Sequence, residues 1–488
     1  MKSTNSILSH FSEEKRKLGL ILAPLLSVLT YLLPLSLNSN GKITLSIMVF
    51  CMVFWLLEVL PLGITAILGV SIAVILGVVS VKKAFLSLGH PVILLFIGSF
   101  LVAHSMSKYG LDKRIALKFL SKDIFLKSPI RIIIGFTLIS FFLSMWISNT
   151  ATTAMLLPLA LGIINLFKKE GIKNTKNFGI FLLISIAYTA SIGGTATLIG
   201  TPTNLVGVGF LKELGYDIDF LQWFLLVSPV SFIMYFVLIV YIKYNMRGFS
   251  FDINQVKQII LNEKKKLPKM SQGEKNTLKV FLFAVIMWTL PGIANLLGNK
   301  EVYTFLKSHF PEGIVALLAG IMLFLLPVKK NTPTLTSQDL RQIDWDTVLL
   351  FAGGIALGKI MVQTGVAKYV GETIASFISP DMVWVFIFVV ILAMVFLTEI
   401  SSNTATVITF VPILIGTFQS LHIDIFYPVI AIIVAASFAF MLPIATPPNA
   451  IIYGSGLIKI SKMVKLGFFL NIIGSVILTL FTIINMAR

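Results

Sequence analysis

Charge, cysteine and histidine are scarce in this sequence. Aspartate, glutamate, lysine and arginine together make up 12% of 488 residues, about half the share a soluble protein carries. The single cysteine, Cys51, lies in an apolar stretch, so neither an internal disulfide nor a cysteine metal cluster can form. Neither H-E-x-x-H nor G-x-S-x-G occurs, and no Ser–His–acid set is apparent, which argues against a membrane hydrolase. No stretch alternates apolar and polar residues as an outer-membrane barrel strand does.

What is present is apolar. Hydrophobic residues make up 57% of the chain, and mean hydropathy is +0.94. Apolar runs recur from residue 18 to residue 486, at the length of about 17–25 residues that spans a bilayer. The spacing predicts an all-α polytopic membrane protein with about eleven transmembrane helices plus two re-entrant hairpins. The N-terminal "MKSTNSILSHFSEEKRKLGLILAPLL" continues past signal-peptide length without an A-x-A-like site, and reads as a retained first helix.

Net charge is +18. In a membrane chain this implies basic loops that orient helices and meet anionic lipid, not a nucleic-acid partner. Lys15-Arg16-Lys17, the 108–131 segment, 168–176, a polar connector at about 243–279 with Lys264-Lys265-Lys266, and Lys329-Lys330 map to the cytoplasm. The acidic 211–220 segment maps outside, as does Lys82-Lys83, against the rule. The expected location is the cytoplasmic membrane, with the N-terminus inside.

The chain repeats itself. "VILLFIGSFLVAHSMSKYGLDK" from 92 aligns with "VLLFAGGIALGKIMVQTGVAK" from 348, and "PLGITAILG" from 61 with "PEGIVALLAG" from 311. Ser148-Asn149-Thr150 aligns with Ser402-Asn403-Thr404, and "LIGTPTN" at 198–204 with "PIATPPN" at 443–449. Between Pro61 and Pro311 five spans and one apolar pair give an odd number of crossings, so the halves are inverted. Inverted repeats are common in secondary transporters, which bind substrate at the repeat interface. The segmentation is 1–60 as N-terminal segment and first helices, 61–243 as first repeat with a hairpin at about 130–167, 244–277 as cytoplasmic connector, and 278–488 as second repeat with a hairpin at about 382–420.

Each Ser-Asn-Thr triplet forms the tip of a hairpin. Arg131 and Lys168-Lys169 flank the first, which enters from the cytoplasm; Asp381 and Asp424 flank the second, its mirror from outside. A tip breaks the helix, so one arm presents carbonyls and the other free N–H groups. Serine, threonine and asparagine are the preferred caps of the starting arm. Gly200, Thr201 and Pro202, like Ala445, Thr446 and Pro447, form a second kind of break, with proline at the first helical position. No lysine or arginine lies in these four motifs. An anion held there relies on hydroxyls, amides and helix N-termini, and a hard cation such as Na⁺ on oxygens. Ser144 and Thr398 stand four residues before Ser148 and Ser402, a spacing that predicts one helical face for each pair and one cation site per repeat.

"SNTATTAMLLP", "GGTATLIGTPTN", "SSNTAT" and "MLPIATPPNAIIYGSG" resemble the signatures of the divalent anion–sodium symporter family, the INDY-type di- and tricarboxylate transporters. The resemblance covers nearly the whole chain. It implies a homodimer of protomers, each with a scaffold domain and a transport domain that moves as an elevator. It implies substrate contacts from Ser148, Asn149, Thr150, Thr201, Ser402, Asn403, Thr404, Thr446 and Pro447. It implies one Na⁺ at Ser144, Ser148, Asn149 and Gly200, and another at Thr398, Ser401, Asn403 and Ala445. The departure is Thr203, where the second repeat has Pro448. The family includes both symporters and anion exchangers. The expected function is C4-type dicarboxylate transport coupled to Na⁺; a Na⁺-independent dicarboxylate or keto-acid exchanger, or a citrate or sulfate transporter, is the alternative. No other cofactor is implied.

Other polar residues have simpler readings. Glu399 adjoins the second triplet and is expected to support that tip or touch a coupling ion. Glu58 reads as a structural or interfacial acid. Lys359 and His104 occupy equivalent repeat positions, and Lys359 either attracts anions, snorkels or pairs with an acid. His90 and His309 read as loop residues, Gly193-Gly194 as close helix packing, and Lys264-Lys265-Lys266 as a solvated face.

Overall fold

A computed structural model describes residues 2–169, 175–246 and 254–487. Parts of the basic segment at 168–176 and of the connector lie outside these described residues. Among the described residues the fold is α-helical, apart from a short ribbon of Pro327–Lys329 with Thr332–Pro333. The first half contains α1 (Lys2–Leu32), α2 (Ser39–Leu56), α3 (Leu62–Ile75), α4 (Val81–Phe85), α5 (Pro91–Tyr109), α6 (Leu111–Leu120), α7 (Pro129–Ser144), α8 (Asn149–Lys169), α9 (Thr175–Thr195), α10 (Pro202–Glu213) and α11 (Phe220–Asn245). A connecting helix α12 (Asn254–Lys265) follows, then α13 (Gln272–Leu296), α14 (Lys300–His309), α15 (Glu312–Leu325), α16 (Trp345–Gln363) and α17 (Val366–Ala375). The chain ends with α18 (Val383–Leu397), α19 (Asn403–Ser420), α20 (Phe426–Ala435), α21 (Pro447–Tyr453) and α22 (Ile460–Met486).

Eight of these helices are long and apolar enough to cross a membrane, nine if α14 and α15, bent by 56°, count as one span. α3, α7, α18 and α20 are apolar but shorter. The caps follow from local chemistry. Asp219 starts α11 and Ser271 starts α13 with capping boxes, and proline opens α5, α7, α10 and α21 at the turn where its missing N–H costs nothing.

Matched residues of the two halves take matched partners. α5 packs along α15, and α3 along α16. A Cβ on Gly98 would lie 2.1 Å from the Ala316 carbonyl carbon, and one on Gly353 would lie 2.6 Å from the Ala66 Cβ. Gly63 likewise abuts the Asp346 carbonyl, and Gly313 that of Pro91. Without a hydrophobic drive between helices in lipid, such close backbone approach is what joins them. Around this frame, α9 is buried along nearly its whole length, with α7 and α8 against it. α20 is as enclosed, between α10, α18 and α22.

Candidate functional site

The first hairpin turns through residues 145–148. The Ile147 N–H still reaches the Leu143 carbonyl, closing α7, and the Thr152 N–H reaches the Ser148 carbonyl, opening α8. The Ser148 hydroxyl caps that opening by accepting the Ala151 N–H at 3.1 Å. Because α7 stops at Ser144, Ser144 and Ser148 do not share a helical face, contrary to what their spacing predicts. The fully buried Ser144 hydroxyl crosses the break and donates to Asn149 Oδ1. The second hairpin is built the same way. α18 ends at Leu397, and the Thr398 hydroxyl reaches across to Asn403 Oδ1 and lies 2.8 Å from the Ala436 carbonyl.

The two broken helices face these tips. A Cβ on Gly194 would fall 2.4 Å from Asn149 Oδ1, and one on Gly200 would fall 2.5 Å from the Gly194 carbonyl and 2.9 Å from that of Ser144. Gly193 is equally pressed against the Phe141 carbonyl, the close packing its sequence context suggests. Asn204 holds the first break open, its Nδ2 donating to the carbonyls of Gly194, Thr195 and Thr197 at 3.1, 3.2 and 2.8 Å. Asn449 does the same in the second, reaching Ala439 at 3.0 Å and Leu442 at 3.1 Å. These two asparagines stand in the T-P-x-N motifs, but sequence offers no sign that their amides bind carbonyls behind them. Thr446 accepts the Asn449 N–H at 3.4 Å, whereas the Thr201 hydroxyl turns to that of Thr203, also at 3.4 Å.

A cavity of about 780 Å³ opens between the four motifs. It is lined by Ser148, Asn149, Thr150, Thr201, Ser402, Asn403, Thr404, Thr446 and Pro447, all nine of the substrate-contact candidates. Gly200, Ser401 and Ala445 also reach it, while Ser144 and Thr398 lie behind the tips. Four helices, α8, α10, α19 and α21, begin at its wall, so their free N–H groups and positive dipole ends lie at its edge. Neither lysine nor arginine comes from the four motifs. Among the described residues no group of three His, Cys, Asp or Glu could hold a metal ion, so a cation here would be bound by hydroxyl, amide and carbonyl oxygens.

The opposite wall was not foreseen from sequence. Phe96, Ser99, Phe100, Ala103, His104 and Ser107 of α5 line it, with Trp146, Lys15, Glu58, Gln342 and Asp344 nearby. Only the helical spacing of these α5 positions could have indicated one exposed face. His104 and Lys108 both bind Asp339, at 2.9 and 2.8 Å. Burial works against the Asp339 charge, but hydrogen bonds from Lys108, the Thr336 backbone and His104 hold its carboxyl well below the usual range.

The remaining polar candidates resolve into pairs. Lys359 pairs with Glu213 at 3.0 Å, so the acid-pairing reading holds. His90 is the cap of α5, and its largely buried ring lies 3.4 Å from Glu213, which sets it apart from an ordinary loop residue. His309 ends α14. Glu58 is exposed at φ 51° in the turn after α2. Glu399 is buried and accepts the N–H groups of Met441 and Leu442 at 2.8 and 2.9 Å and the Asn471 amide at 2.7 Å. It thus supports the second break from the second tip.

The chain is similar to known proteins along nearly its whole length. Residues 13–486 match the family profile described as the sodium:sulfate symporter transmembrane region. The chain is 33% identical, over 95% of its length and 90% of the relative's, to a sodium-dependent dicarboxylate transporter of Staphylococcus saprophyticus. It is 31% identical to a protein of the same name in Staphylococcus aureus strain USA300, over 97% of this chain and 93% of that one.

Proposed function

The chain belongs to the sodium:sulfate symporter family of membrane transporters, and from that premise we propose that it carries C4-type dicarboxylates such as succinate, malate and fumarate, driven by Na⁺. The observation that carries this reading is the cavity onto which four helices open, two from each half, through Ser, Asn and Thr side chains of motifs that contain no lysine or arginine. Two opposed sets of N–H and hydroxyl donors suit the two ends of a short dianion. Behind each tip, a buried hydroxyl and an asparagine oxygen gather with backbone carbonyls. Hard, oxygen-rich surroundings of this kind suit Na⁺. The relatives' names, sodium-dependent dicarboxylate transporters, support the same substrate and ion.

The exchange of partners between α3, α5, α15 and α16 supports inverted repeats. Lys15, His104 and Ser107 line the cavity beside segments mapped to the cytoplasm, which supports a cytoplasm-open state. In this reading the hairpins and broken helices move as one body past a dimeric scaffold, and the N-terminus lies inside the cytoplasmic membrane.

The test is radiolabelled succinate uptake into proteoliposomes under an inward Na⁺ gradient, against an inward K⁺ gradient, with and without internal succinate. Uptake that needs Na⁺ is the expected result. Uptake that ignores Na⁺ and needs internal dicarboxylate would replace symport with exchange.

A further inference from the structure

Glu399 stands buried beside the second tip. Its two oxygens accept three hydrogen bonds, from the N–H groups of Met441 and Leu442 and from the Asn471 amide. All three partners are donors, the arrangement an ionised carboxylate satisfies and a protonated one does not. The side chain is 3% exposed, and among the described residues no lysine, arginine or histidine forms an ion pair with it. A buried charge with hydrogen bonds but no counter-ion is costly. Glu399 also sits one peptide, about 3.8 Å between Cα atoms, from Thr398, whose hydroxyl reaches Asn403 Oδ1. The turn it binds runs on directly to Ala445 and Thr446.

The first half lacks this charge. The repeat alignment places Met145 at the position of Glu399. There the Met145 carbonyl accepts the Thr197 hydroxyl at 2.5 Å, and the Trp223 indole donates to the Thr195 carbonyl at 3.0 Å. Both ties are neutral.

We propose that Glu399 is the fixed counter-charge of the second cation site, at Thr398 and Asn403, and makes that site the tighter of the two for Na⁺. This rests on the sodium-coupled reading above. Glu399 is a positioning and electrostatic residue that does not itself contact the ion. In a water-poor interior a full charge a few ångströms beyond the first ligands shifts cation affinity by about tenfold or more.

The experiment measures succinate uptake by the full-length protein in proteoliposomes as a function of external Na⁺, for wild type, Glu399→Gln and Glu399→Asp. In Glu399→Gln, half-saturating Na⁺ is expected to rise about tenfold or more. The KM for succinate at saturating Na⁺ should stay within about twofold, and the maximal rate should return at high Na⁺. Glu399→Asp keeps the charge, and its half-saturating Na⁺ should remain within about threefold of wild type. A mere brace would show the opposite pattern: both variants equally impaired, with no recovery at high Na⁺, and that result overturns the proposal. If Glu399→Gln does not elute as folded protein, Glu399→Asp decides alone, since a tenfold shift with the charge kept also overturns it. Sodium-independent uptake by wild type would defeat the coupled reading and this inference together. Sodium-dependent wild type with an unshifted Glu399→Gln would defeat this inference alone.

Discussion

The two hairpin tips share one plan and differ in what stands behind them. At both, a buried hydroxyl crosses the helix break to an asparagine oxygen, Ser144 to Asn149 and Thr398 to Asn403. At both, an asparagine amide pins the facing break. Behind the first tip the ties are neutral, from Thr197 and Trp223. Behind the second stand the Glu399 carboxylate, the Asn471 amide and the Tyr188 hydroxyl, which donates to the Phe440 carbonyl. The difference teaches that the crossing hydroxyls and the pinning asparagines are kept in both halves, while the groups that tie the turns behind them are not.

The largest effect should come from breaking the shared plan. Asn149→Ala and Asn403→Ala each remove an amide at the cavity wall together with the acceptor of the crossing hydroxyl. Each should abolish succinate uptake, a loss of about a hundredfold or more given two or more lost polar contacts, while the protein still elutes as a folded species. Normal transport by either variant would refute the site.

A smaller effect sharpens the comparison one layer back. Asn204→Leu strands the Gly194 carbonyl, while those of Thr195 and Thr197 keep the Trp223 indole and the Gly200 N–H; Asn449→Leu strands the Ala439 carbonyl, while that of Leu442 keeps the Ala445 N–H. At about 1–3 kcal/mol for an unsatisfied buried group, both should lower the midpoint of thermal unfolding by similar amounts. An unchanged midpoint in either variant would mean that the amides do not hold the breaks as described.

The smallest effect is expected where the motifs themselves differ. Thr203→Pro converts T-P-T-N to the T-P-P-N of the second half. The position lies in the first turn of α10, where the N–H has no helical partner, and the change forfeits only the 3.4 Å contact with the Thr201 hydroxyl. Uptake should stay within about threefold of wild type, in keeping with a change of under about 1 kcal/mol. A complete loss would assign the Thr203 hydroxyl a direct part in binding.

Much of the site was legible in the sequence because its parts are local. Ser-Asn-Thr between apolar runs, and Gly-Thr-Pro or Ala-Thr-Pro after them, are capping and breaking signals that act over a few residues. They marked the hairpins and breaks that α7, α8, α18, α19, α10 and α21 realise. The nine motif residues that line the cavity are those the family resemblance implied. The i, i+4 reading of Ser144 with Ser148 failed for the same local reason: a spacing rule assumes a helix that continues, and the break it was meant to decorate had already ended that helix. The α5 wall was missed because its mixed face of Phe, Ala, Ser and His has the composition of one packed on a neighbouring helix.

Sequence by itself determined that this chain is membrane-embedded, helical and polar at two matched pairs of breaks, because hydropathy, period and cap preference are properties of short segments. Tertiary structure decided which polar groups serve one another. Glu399 meets Met441 and Asn471, 42 and 72 residues away, and Lys359 meets Glu213, while His104 meets Asp339. In an interior without water every buried donor, acceptor and charge must find its partner among whatever the packing brings near. That pairing depends on how helices close on glycines such as Gly98 and Gly353, a distance in space that no distance along the chain encodes.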